Sequence, residues 1–134
     1  MTLEEIEKDL PNGLHDAKLR SLTHNYDLGT LIIQVEVLTG LPEDPISVRS
    51  AYRDALISFS DVFLCQIEQP VNERIMGTRG STSFQFWRTE PGTFPSKLSG
   101  CFPANALSYT LYVHEWESSI HVVAGDANFS WAHA

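Results

Sequence analysis

Apolar and polar positions recur with two different periods along this chain. At the N-terminus Leu3, Ile6 and Leu10 are spaced as on one side of a helix. Thr2 stands where a cap is needed, and Glu5 follows three residues later as in a capping box. This predicts a short helix over residues 2–9, ended by "PNG" at 11–13, where Gly13 can take a positive φ. From His15 the period changes to two. Residues 15–26, the turn "DLG" and the β-branched run "TLIIQVEVL" predict a hairpin with Gly29 in the left-handed position. Pairing Tyr26 with Thr30 would set Arg20 opposite Glu36 and Leu19 opposite Val37, with Leu31, Ile33, Val35 and Val37 lining the core.

"TGLPEDP" at 39–45 reads as a turn, and "ISVRSAY" and "ALISFSDVFLCQIE" carry further strand signal. A polar, glycine-containing loop over 70–82 leads to the aromatic strand "SFQFWR", and a proline-rich loop follows over 89–105. "LSYTLYVHEW" then alternates cleanly. Leu107, Tyr109, Leu111 and Val113 share one face, and "SSIHVVAGDANFSW" supplies the return strand. Seven or eight strands and one helix predict a single, mainly β domain: an antiparallel twisted sheet curled into a sandwich or open barrel, with α+β as the alternative.

At 134 residues, with 43% hydrophobic and 19% charged side chains, the chain is long enough for one core and is not of disordered composition. Seventeen acidic against nine basic residues give a formal charge of −8, with no cluster of Lys and Arg. That argues against nucleic-acid or anionic-membrane binding; the plain reading is that the charge keeps the protein soluble, and if the charge has a partner, a basic one is expected. The acidic amphipathic start does not resemble an export signal, and no apolar run approaches a membrane span. The cytoplasm, with Cys65 and Cys101 reduced, is the expected compartment.

Phosphate-binding, nucleophile-elbow and zinc-protease motifs are all missing, so neither a cofactor nor catalysis is expected. His114 and His121 would face each other if Glu117 and Ser118 made a two-residue turn. With Glu115 or a loop acid as third ligand they could then hold Zn²⁺ or Cu²⁺. A one-residue slip undoes that pairing, and an exposed polar sheet face is the preferred reading, with no metal. His15 and Asp16, adjacent on a strand, would point to opposite faces and could not form a dyad with each other. The pair reads as a structural motif, with Asp16 accepting backbone N–H bonds and His15 facing the core. A dyad of His15 with Asp54 or Asp61 is the catalytic alternative. Among the aromatics, Phe84 and Phe86 share a parity and read as core. Phe94, Phe102, Tyr109 and Tyr112 could join them around a pocket, whereas Trp87, Trp116 and Trp131 are the better candidates for recognition, although for each of these residues the core is the preferred reading.

"GLHDAKLRSLTHNYDLGTLIIQVEV" resembles the opening of a group of small bacterial proteins, most without an assigned role. The matching residues are Leu14, His15, Asp16, Ala17, Leu19, Leu22, Asp27, Leu31 and Ile33, and "YTLYVHEWESSIHVVAGDANFSW" is similar to their closing hairpin. Some of that group resemble immunity proteins of toxin systems. The resemblance implies a protein-binding role and supplies no catalytic residue. The leading expectation is therefore a non-enzymatic module that caps a basic partner. Its candidate contacts are Trp87, Trp116, Glu43, Asp44, Glu115 and Glu117, with Glu36, Asp54 and Asp61 as further acids. A small-ligand barrel or enzyme using His15, His24 or His114 is the second expectation. A homodimer through a sheet edge is the third.

Overall fold

The computed structural model describes residues 1–68, 82–90 and 102–132. Helix α1 (Leu3–Lys8) is followed by β1 (Lys18–Asn25), β2 (Thr30–Leu38), the short helix α2 (Ile46–Arg49) and β3 (Tyr52–Ile67). Strands β4 (Thr82–Arg88), β5 (Leu107–Val113) and β6 (Ser118–Trp131) complete the described chain. The fold is mainly β, as its alternation predicts. Six antiparallel strands close into a ring in the order β1-β2-β3-β6-β5-β4 without forming a regular barrel. Among the described residues β1 meets β4 at Lys18–Ser83 and Leu19–Thr82. Neither the 70–82 loop, except Thr82, nor most of the 89–105 loop lies within the described residues.

α1 begins where the capping pattern places it. The Thr2 hydroxyl accepts from the Glu5 N–H at 3.1 Å, and Leu3, Ile6 and Leu10 are buried in the core. Burying each such side chain is worth about 2 kcal/mol, enough to hold a six-residue helix that would not persist alone. The interior of the ring is filled by Leu19, Ile33, Val35, Ile57, Leu111 and their neighbours. No described helix is long and apolar enough to cross a membrane.

Two expectations are corrected. The first hairpin pairs Asn25, not Tyr26, with Thr30, and a bulge follows between Leu19 and Ser21. Leu19 and Leu22 lie three residues apart and would face opposite sides of a regular strand; the bulge turns both toward the core. Arg20, released from the ladder, still reaches Glu36 at 3.7 Å and also Asp54 at 3.4 Å. Second, "ISVR" is a helical turn rather than a strand, leading into β3. Six strands are described, of which β3 and β6 are long, at 16 and 14 residues.

Those two strands pair along most of their length, with an irregularity between Val62 and Leu64 that shifts the register by one residue. In β6 the buried positions pass from Ile120, Val122 and Ala124 to Ala127. Opposite, β3 takes a positive φ of 51° at Asp61. At Gly125 a Cβ would lie 3.0 Å from the Asp61 Cβ, close enough that Asp61 would have to shift.

Candidate functional site

The segment between α1 and β1 is a run of turns pinned on three sides. Gly13 takes φ 60°, and the Asn12 side chain donates to the carbonyls of Leu38 and Gly40 at 3.0 and 2.7 Å. The Leu14 N–H donates to the Glu7 carboxylate at 3.1 Å, and the Tyr52 hydroxyl donates to the Asp16 carbonyl at 3.3 Å. The strand therefore starts at Lys18, and His15 and Asp16 precede it.

This corrects the reading of that pair. Asp16 sits at φ 62°, a left-handed conformation that abolishes strand alternation. As a result His15 Nε2 lies 3.4 Å from Asp16 Oδ2, with both side chains exposed, at 83% and 60%. His15 does not face the core. The carboxylate that accepts a backbone N–H here is Glu7, supplied by the helix.

The turn forms one wall of a half-open cleft of about 420 Å³. α1 contributes Glu4 and Glu7 to it, and β4 contributes the run from Ser83 to Trp87. His114 stands at the rim, its N–H donating to the Ser83 carbonyl at 3.0 Å. The structure thus brings together His15, Asp16, Trp87 and His114, which lie far apart in the chain. Trp87 is 45% exposed.

Beneath this cleft Tyr109 is fully buried. Its hydroxyl accepts from the Leu3 N–H at 3.2 Å and donates to Glu4 Oε2. Arg88 holds the same carboxylate with Nε at 2.9 Å and lies 5.3 Å from the Tyr109 ring centre. Burial would raise the Glu4 carboxyl. Hydrogen bonds from Tyr109, its own backbone and Arg88, with the Arg88 charge, outweigh it and hold the group below its ordinary value. For Tyr109, burial and then the adjacent carboxylate push the phenol up to about 12. Glu4 is therefore occupied, leaving Glu7 and Asp16 as the anionic side of the cleft.

The remaining candidates lie elsewhere. Glu43 is exposed in the 39–45 turn, and Asp44 accepts from the Leu41 N–H at 2.8 Å, so it closes that turn. Glu115 and Glu117 are exposed in the β5–β6 turn, and Trp116 packs against the core. None of these lines the cleft. Glu36 and Asp54 are engaged by Arg20 and Asp61 marks the β3 bend, so neither aspartate is a partner of His15. Phe84 is core and Phe86 packs against it, as do Trp131 and, from β3, Cys65, whose thiol burial pushes up. Arg53 lies 4.3 Å above the Trp131 ring, and His24 lies against Tyr26 at 4.3 Å. Phe94 and Cys101 fall outside the described residues.

The His114–His121 pairing does not occur. The turn is four residues long, so Val113 pairs with Ser118 and His121 stands opposite Thr110. His121 Nδ1 meets the Thr110 hydroxyl at 3.0 Å and Nε2 meets Glu68 Oε1 at 3.3 Å. Among the described residues no three His, Cys, Asp or Glu side chains gather as metal ligands would.

The cleft residues that sequence reasoning missed are Glu4 and Glu7. Their spacing of three on α1 puts both on one side of the helix, a signal available once the helix is drawn. Compared with protein-family models, curated proteins and solved structures, the chain matches none.

Proposed function

We propose that this protein is a non-enzymatic binding module whose cleft grips a basic part of another protein, in the manner of an immunity protein that neutralises a basic toxin. The observation that carries the reading is the convergence of the Glu7 and Asp16 carboxylates with the exposed Trp87 in one cleft. An aromatic anchor beside acids suits Lys and Arg, through ring–cation contact as well as charge. The chain's net charge of −8 would speed encounter with such a partner. The cytoplasm is the compartment this reading assigns.

The test is capture from the native host with immobilised wild type beside the variant Glu7→Gln/Asp16→Asn/Trp87→Ala. The expected result is a basic protein retained by wild type, released by salt and not retained by the variant. Equal capture by both would overturn the reading.

The contact between His15 and Asp16, with His114 in the same cleft, favours a second reading as a small acid–base enzyme. Loss of an activity in His15→Ala, with the fold intact and no partner captured, would support that instead.

A further inference from the structure

We propose that the cleft seats its partner as an added β-strand on the outer edge of β4, and that the added segment carries Lys or Arg. This rests on the binding reading above and specifies how the partner is held.

The direction of the backbone groups in β4 follows from three hydrogen bonds. The Ser83 carbonyl accepts from His114 and the Thr89 N–H donates to Ser108, both at 3.0 Å, so these odd-numbered residues face β5. The Phe84 N–H points the other way and donates to the Ala17 carbonyl at 3.4 Å. By strand alternation the N–H and C=O groups of Phe86 and Arg88 also point away from β5. β1 has already ended its pairing at Ser83, and among the described residues no backbone group meets Phe86 or Arg88 on that side. Such an edge is a template for strand addition.

Two features select the occupant. Beyond Phe84, whose N–H is taken by Ala17, the edge from Phe86 to Arg88 runs about 7 Å, at about 3.3 Å per residue, room for two or three extended residues. The cleft beside it is lined by Glu7 and Asp16, while Arg88, at the end of the edge, is paired with Glu4. An acidic segment would meet like charge there, whereas a basic one complements it.

The probe is an end-blocked hexapeptide of alternating Lys and Val, compared with its Glu/Val counterpart and with a Lys/Val version N-methylated at alternate amides. Binding is read by Trp87 fluorescence against a Trp87→Phe control, and pairing by amide hydrogen exchange. The Lys/Val peptide is expected to slow exchange at Phe86 and Arg88 at least tenfold. The other two peptides are expected to bind at least tenfold more weakly. Binding without slowing at those two amides overturns strand addition and leaves the acidic cleft as a binding site. Failure of the Lys/Val peptide to bind overturns strand addition, while the capture experiment judges the wider reading separately. Concentration-dependent dimerisation that protects the same amides without peptide would give the edge to a second copy of this chain, and would also overturn the proposal.

Discussion

The hydroxyl of Tyr109, buried in β5, is hydrogen-bonded to the carboxylate of Glu4 in α1, 105 residues earlier in the chain. That contact fastens the N-terminal helix to the ring beside the cleft, and it makes the junction sensitive to alkali. The folded protein holds the Tyr109 proton up to about pH 12, whereas an unfolded tyrosine releases it near 10. The stabilisation is therefore complete below pH 10 and is lost as pH rises toward 12. It amounts to on the order of 2 kcal/mol, read as falling urea midpoints over that window. Tyr109→Phe should cost about 1–3 kcal/mol at neutral pH and flatten that alkaline slope. For Glu4 the sign is opposite: its depressed carboxyl adds stability above the ordinary carboxylate range, lost as acid protonates it.

Asp16→Gly should leave the protein as stable as wild type or raise it by about 1 kcal/mol, because glycine accepts φ 62° freely. Asp16→Ala should be the less stable of the two. Glu7→Ala should cost about 1–3 kcal/mol by leaving the Leu14 N–H without its acceptor. Thermal melts of the three variants check this. An Asp16→Gly protein clearly less stable than wild type would mean that the Asp16 side chain fastens the turn after all.

Gly40→Ala and Gly29→Ala should differ in severity. A Cβ at Gly40 would stand 2.2 Å from the Val48 carbonyl oxygen and 2.3 Å from that of Arg49, backbone atoms that cannot swing aside. At Gly29 the nearest atom is 3.9 Å away, and only the φ of 63° opposes a side chain. We expect about 1 kcal/mol lost at Gly29 and a loss of up to about 3 kcal/mol at Gly40, with α2 displaced. Denaturant titration gives the ranking.

His121→Ala should lower stability by about 1–3 kcal/mol, since it removes the link between Thr110 and Glu68. His114→Ala, at an exposed rim position, should stay within about 0.5 kcal/mol of wild type. Zn²⁺ should not shift the melting temperature of the wild type. A zinc-dependent rise abolished by either substitution would restore the metal reading.

How far the fold was legible depended on whether a signal was local. α1 was readable because Thr2, Glu5 and the Leu3–Ile6–Leu10 stripe act within a few residues. The inward sets of β2 and β5 were readable because strand alternation needs no partner. Register was less so, since it depends on how many residues each turn holds. Both described hairpin turns hold four residues, against the three expected after Tyr26 and the two expected after Trp116. That difference separated His114 from His121.

The chain's own periodicities therefore determined a mainly β domain with a capped helix, and its composition determined an acidic surface. Tertiary structure alone decided the cleft. It formed because the Asp16 backbone turned left-handed, because Glu7 reached back to Leu14, and because the pairing of β1 with β4 stops at Lys18–Ser83 on the side of the cleft. None of these has a periodic signature. Each is the outcome of competition among distant groups for one place, and that competition is settled only when the ring closes.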